Sequence, residues 1–250
     1  MCVLLIGWKL RQWPSLVVAA NRDEARRRPS LPPQHLTCGD RRALLPVDEQ
    51  AGGTWLGVND AGLAVALTNR ADRSFEASRP SRGELARAAL GHRAAETVRR
   101  CLEDAVATKG FNGFNLFCAD RRHAWVASWN GRLQFVDLQP GAYVLTNSHD
   151  LDALPVPEFV SLPWGQQAWP TLRQQLQRLL GDHTPRDGEA TALCKHGETY
   201  GTVSSALFFP RRDGGWHLDF AAGTPCTTPF QPFHLPGDAA ASGRPSSRQA

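Results

Sequence analysis

No two cysteines in this 250-residue chain are spaced Cys-x-x-Cys, although there are six of them, and the closest cysteine–histidine approach is Cys194-Lys195-His196. That excludes the usual local spacings of structural zinc and a c-type haem attachment site. The isolated cysteines read as reduced thiols of a cytoplasmic protein with no metal centre. Long apolar runs are lacking too, and none approaches membrane-spanning length. The start, Met1 to Trp8, has too short an apolar run for a secretory leader, no basic residue before it and no small-residue cleavage site. Nor is there a basic stripe. The formal net charge is +4, the arginines are scattered, and the densest run is Arg26–Arg28. This argues against a nucleic-acid partner and reads as a solvated turn. With no internal repeat and no mid-chain linker, one domain over residues 1–236 is the economical reading. The Gly/Ala/Ser/Arg-rich tail, 237–250, is expected to be disordered. These absences leave a soluble cytoplasmic enzyme or carrier of open oligomeric state.

What is present reads first as hairpins. Cys2–Trp8 and Leu16–Ala20 are β-prone runs joined by a turn containing Pro14, and a loop is expected from Arg26 to about Asp40. Thr54–Asn59 and Gly62–Thr68 form a second hairpin around Asp60-Ala61. Ser81 followed by Glu84 is a capping-box pattern before Leu85, Ala88 and Ala89 at helical spacing. A second helix is expected over Ala94–Ala107. Strands are expected at Phe114–Ala119, His123–Trp129, Leu133–Leu138 and Tyr143–Thr146. Leu172, Leu176, Leu179 and Leu180 make a helical stripe behind Pro170, and a short helix is expected over Gly188–Lys195. Thr202–Phe209 and Trp216–Ala221 close the pattern as a hairpin turned by Asp213-Gly214-Gly215. This α+β order suggests two sheets face to face with helical layers outside.

Cys2 is the first candidate for chemistry. Removal of Met1 would give it a free α-amino group, which titrates near pH 8 in model peptides, about two units below a lysine. Such an amine can take the thiol's own proton, so that nucleophile and base share one residue. The plain alternative is a buried strand cysteine that happens to be second. Asn21-Arg22-Asp23-Glu24 follows the strand Leu16–Ala20, which is expected to pair with the strand beginning at Cys2, so Arg22 and Asp23 come close to it. A carboxylate there can orient the ammonium and a guanidinium can stabilise a thiolate, although a polar turn closing a strand has the same composition. Asn69 and Asn147 each follow a threonine at a strand end, where an amide can donate to an oxyanion or simply close a turn.

Several blocks resemble the NRDE (TANGO2-like) family. They are Met1-Cys2, Asn21-Arg22-Asp23-Glu24, Gly52-Gly53-Thr54-Trp55-Leu56-Gly57 and Leu67-Thr68-Asn69-Arg70, followed by Ser81-Arg82-Gly83, Asn112-Gly113-Phe114-Asn115-Leu116 and Tyr200-Gly201-Thr202-Val203-Ser204-Ser205. That family is similar to the cysteine branch of the N-terminal-nucleophile hydrolases. The resemblance implies a four-layer αββα sandwich, with Cys2 as nucleophile, Arg22 and Asp23 supporting it, and Asn69 and Asn147 at the oxyanion. It implies a cysteine amidohydrolase acting on a small non-peptide amide with no required cofactor. The alternative is a carrier of haem or of an acyl-CoA or lipid ligand using the same cleft. For haem, His149 is the histidine nearest that cleft in sequence, and a turn role is its plain reading. One departure stands out. The acylases place another arginine late in the chain, where this sequence has Thr202-Val203-Ser204-Ser205-Ala206, and Arg211 and Arg212 lie beyond that strand. Pocket walls are expected from the loops Arg26–Asp40 and Leu151–Trp169.

Overall fold

Alternation along the first strand sets the architecture. In the computed structural model, which describes residues 2–70, 75–147, 151–152, 156–185 and 192–238, β1 (Val3–Trp8) is buried on both faces. Leu4, Ile6 and Trp8 enter one hydrophobic cluster, and Val3 and Leu5 enter another. A strand apolar on both faces must be covered on both, and that requirement generates layers.

Two antiparallel sheets result. The first, in spatial order, is β10 (Gly141–Thr146), β1, β2 (Leu16–Ala25), β11 (Tyr200–Pro210), β12 (Trp216–Ala221) and β13 (Gln231–Leu235). The second runs in sequence order: β3 (Ser30–Cys38), β4 (Arg41–Asp48), β5 (Leu56–Asn59), β6 (Ala64–Asn69), β7 (Phe114–Ala119), β8 (Ala124–Trp129) and β9 (Leu133–Asp137). Their inner faces share one cluster that includes Leu4, Ile6, Val18 and Phe208 from the first sheet and Leu44, Leu56, Ala66 and Phe117 from the second. The helices α1 (Arg82–Ala89) and α2 (Ala95–Lys109) cover the outer face of the second sheet through Leu85, Val98 and Leu102. The outer face of the first is covered by α3 (Pro157–Val160) and α4 (Trp169–Leu180), through Phe159, Leu172, Leu176 and Leu180. Three apolar interfaces therefore separate four layers, the αββα sandwich the sequence led us to expect.

Local chemistry explains the element ends. Ser81 caps α1, its hydroxyl accepting from Gly83 N at 3.3 Å. Gly62 sits at φ +93° in the β5–β6 turn, where a side chain would be strained. Pro170 occupies the first turn of α4, where its missing N–H costs nothing.

Three expectations are corrected. The stretch Arg26–Asp40 is mostly the edge strand β3, its prolines Pro32 and Pro33 tolerated at a bulge between Leu31 and Gln34. Within Leu151–Trp169, the described residues include α3, with Phe159 fully buried, so this part plugs the core. No helix forms over 192–195 of the expected Gly188–Lys195, and 186–191 lies outside the described residues. Of the expected tail, Gly237 and Asp238 are described, Asp238 donating its amide to the Asp60 carbonyl at 2.8 Å. Residues 239–250 and His149 lie outside the described residues. Among the described residues, no helix is long and apolar enough to cross a membrane.

Candidate active site

Register brings the candidate residues together. Val3 pairs with Asn21 on one side and with Thr146 on the other. One step back along β1, Cys2 therefore lies between Arg22 and Asn147. Cys2 N donates to Asn147 Oδ1 at 3.1 Å, and the Cys2 thiol faces the Asp23 carbonyl at 3.9 Å. The carboxamide of Asn147 is thus held by the nitrogen that would become the free amine, leaving its Nδ2 as the group able to donate elsewhere.

The sequence did not show how far β2 extends. It continues through Arg22 and Asp23 to Ala25, so the polar cluster is strand and not turn. Alternation then separates the pair. Arg22 shares parity with Val18 and Ala20, which face the other sheet, and Asp23 shares parity with Val17 and Ala19, which face α4. Arg22, 4% exposed, donates to Asp48 Oδ2 at 3.0 Å and stacks on Trp55 at 4.3 Å. Its Nη1 is buried with no hydrogen-bond partner among the described residues. Asp48 is also held by Arg28 at 2.7 Å.

Asp23 is buried under the first sheet, where Lys195 Nζ donates to Oδ2 at 2.9 Å and Thr202 Oγ1 to Oδ1 at 2.7 Å. Tyr200 donates its hydroxyl to the Asp23 carbonyl at 2.6 Å. A β-bulge between Thr202 and Ser204 leaves Thr202 opposite Asp23 and Ser204 opposite Arg22. Lys195, supplied by the loop before β11, is thus a late cation that meets Asp23. Sequence reasoning missed Lys195 because nothing in its neighbourhood marks it.

Burial, then the Asp23 charge, push the Cys2 thiol above its ordinary value, against the chain's ammonium terminus, the Asp23 backbone bond and Arg22. The resting thiol is neutral and needs a base. Burial also raises the Asp23 carboxyl, more than Lys195 and Thr202 lower it.

A cavity of about 390 Å³ opens on Cys2. Cys2, Arg22 and Asn69 line it, whereas Asp23 and Asn147 touch Cys2 from outside the wall. Among the described residues, four arginines (Arg22, Arg28, Arg79 and Arg82) face it against the carboxylates of Glu24 and Asp48. Ala77 and Arg79–Gly83 supply part of its wall, and of the expected wall loops only Arg28 contributes among the described residues. That wall is seated by backbone contact: a Cβ on Gly53 would stand 2.5 Å from the Gly83 carbonyl carbon, and Thr54 N donates to Gly83 O at 3.2 Å. The Ser81-Arg82-Gly83 block thereby docks on the Gly52–Trp55 block. Beneath Asn147, buried Asn115 donates to the Thr146 carbonyl at 3.0 Å and to Thr68 Oγ1 at 3.2 Å. Thr68 donates to the same carbonyl at 3.3 Å, tying the two sheets together beside Cys2.

A family model described as Transport and Golgi organisation 2 matches residues 1–214. The Transport and Golgi organization 2 homolog of Mus musculus is 34% identical over 142 residues, covering 53% of this chain and 50% of that protein. The human homolog is 33% identical over 144 residues, with the same coverage of 53% and 50%. The chain thus matches about half the length of these relatives. Among solved structures, the Caenorhabditis elegans N-acylethanolamine-hydrolyzing acid amidase ortholog superposes with TM-score 0.57 at 14% identity, covering 94% of this chain and 100% of that one. A variant of conjugated bile acid hydrolase from Clostridium perfringens gives 0.50 at 13%, with 94% and 97% covered. At such identity the likeness speaks to the fold alone, which is the N-terminal-nucleophile hydrolase sandwich.

Proposed function

This chain belongs to the Transport and Golgi organisation 2 family, and from that premise we propose that it is a cysteine amidohydrolase of the N-terminal-nucleophile type. One observation carries the reading: the Cys2 thiol opens on a cavity while its nitrogen is held by Asn147 at 3.1 Å. With Met1 removed, that nitrogen is an amine beside a neutral thiol. It takes the thiol proton, and the thiolate attacks the amide carbonyl carbon. The oxyanion forms within reach of Asn69 and the Nδ2 of Asn147, each donor contributing about 2.7–4 kcal/mol in comparable sites. Arg22, with an unpartnered Nη1 at the wall, adds positive potential. The C–N bond then breaks, the ammonium returns the proton to the leaving amine, and a thioester remains on Cys2. Water, deprotonated by the same amine, releases the acid and restores the thiol. Asp23, buried with Lys195, orients the ammonium and does not enter the bonds made or broken.

The four arginines against two carboxylates favour a substrate that carries an anionic group. The experiment is hydrolysis of a panel of N-acyl amides with anionic head groups, by the wild type and by Cys2→Ala. The expected result is turnover by the wild type and its loss in a Cys2→Ala protein with an unchanged circular dichroism spectrum. Full activity in Cys2→Ala refutes the reading. Stoichiometric binding of haem or an acyl-CoA with no turnover of any amide would favour the carrier reading instead.

A further inference from the structure

At the C-terminal end of α4, outside the cavity, three segments distant in sequence converge. His183 follows the helix, Cys194 and His196 flank Lys195, and Cys226 lies between β12 and β13. One ligand atom from each of the four lies within 4.8 Å of every other. The two sulfurs are 3.8 Å apart. His196 Nε2 stands 3.1 Å from Cys226 Sγ and 3.9 Å from Cys194 Sγ. A tetrahedral zinc ion, with bonds of about 2.3 Å to sulfur and about 2.0–2.1 Å to nitrogen, has edges of about 3.8 Å between sulfurs and about 3.6 Å between sulfur and nitrogen. The observed separations match the first and bracket the second. His183 Nδ1 lies 3.0 Å from the Cys194 carbonyl. That contact makes Nδ1 the protonated nitrogen and leaves the lone pair on Nε2, the arrangement usual for a metal-bound imidazole.

We propose that His183, Cys194, His196 and Cys226 bind a zinc(II) ion. Each thiol loses its proton to solvent as its sulfur–zinc bond forms, so two thiolates and two neutral imidazoles balance the charge of the ion, and no oxidant is involved. Three of the ligands are exposed and Cys194 is buried, which gives the ion a path in from one side. All four donors are nitrogen or sulfur, with no carboxylate, which favours zinc over magnesium or calcium. The site also acts on the neighbouring framework. Lys195, between two ligands, donates its amide to Thr202 Oγ1 at 2.9 Å and accepts from Thr202 N at 3.0 Å. Its ammonium reaches Asp23. The ion thereby fixes the segment that holds Lys195 against Asp23. Local spacing could not disclose the site, because only Cys194 and His196 are near neighbours in the chain.

The test uses the full chain without a histidine tag, reduced with a phosphine, stripped by chelator and titrated with zinc(II) and, separately, cobalt(II). We expect one zinc per chain by elemental analysis. Cobalt should give saturable thiolate-to-metal charge transfer with the intense visible bands of a tetrahedral centre. Both signals should vanish in Cys194→Ser/Cys226→Ser and persist in Cys101→Ser, whose thiol is exposed on α2. His196→Gln should weaken zinc affinity by more than about ten-fold. The wild type alone decides the matter if the serine variant does not fold. Reduced wild-type chain that takes up no zinc overturns the proposal, as does purified protein with Cys194 joined to Cys226 in a disulfide and no metal.

Discussion

Lys195→Met isolates the electrostatics behind the candidate nucleophile. The substitution keeps the length of the stem and deletes the Lys195 ammonium that meets Asp23 at 2.9 Å. Asp23 is 2% exposed and retains Thr202 at 2.7 Å, but a hydroxyl does not replace a charge. At an effective dielectric near 20, the attraction lost is about 6 kcal/mol. The carboxyl has an escape, because it can fold protonated. Holding a carboxyl neutral near pH 7 costs about 1.36 kcal/mol for each of about three units above its unfolded pKa, which caps the loss at about 4 kcal/mol. We therefore expect Lys195→Met to lose about 2–4 kcal/mol by urea denaturation at neutral pH. The sign of its pH dependence follows. A carboxyl raised in the folded state binds more protons folded than unfolded, so stability rises as the pH falls toward the unfolded value. The deficit should shrink by up to about 1.4 kcal/mol per unit over that window and close near pH 4. Asp23→Asn in the same background should recover most of the loss, because a neutral amide needs no cation. A deficit below about 1 kcal/mol that neither varies with pH nor responds to Asp23→Asn would refute the reasoning.

Two further outcomes test other parts of the account. Asp219, 1% exposed, receives Arg173 at 2.6 and 2.5 Å, His217 at 2.8 Å and Gln177 at 3.0 Å; burial pushes its carboxyl up, but the hydrogen bonds and charge of His217 and Arg173 hold it below its ordinary value. The advantage of the wild type over Asp219→Asn should be about 2–4 kcal/mol above pH 4 and should fade as the pH drops through the lowered folded value, read from urea melts across acid pH. Leu176→Ala, at a fully buried site between α4 and the first sheet, should lose about 2–5 kcal/mol and leave the β-sheet circular dichroism signal intact at room temperature.

Much of the fold was legible because apolar periodicity reports burial. The Leu172–Leu180 stripe and the Ser81 cap name helices directly, and the apolar-rich runs Phe114–Ala119 and Trp216–Ala221 give strands with the observed ends. β3 was hidden because an edge strand carries mostly exposed residues and can admit Pro32 and Pro33, which read as loop. The short β13, with Pro232 and little apolar content, was hidden for the same reason. The proximity of Cys2, Arg22 and Asp23 was readable from the hairpin, since register fixes which strand ends meet. That Asp23 points away from Arg22 was not, because the extension of β2 past Ala20 depends on β11, some 180 residues on. Lys195, Asp48 and the His183–Cys226 cluster share this limit: each is made by chain reversal, which no local pattern encodes.

The central claim is that Cys2, beside its own amine, is the reactive thiol. Native full-length protein treated with substoichiometric iodoacetamide at neutral pH, then digested and mapped by mass, tests it most directly. The account predicts an N-terminal peptide that begins at Cys2 and carries the label before the exposed Cys101 does. An N-terminal peptide that retains Met1, with Cys2 unlabelled while Cys101 has reacted, would contradict it.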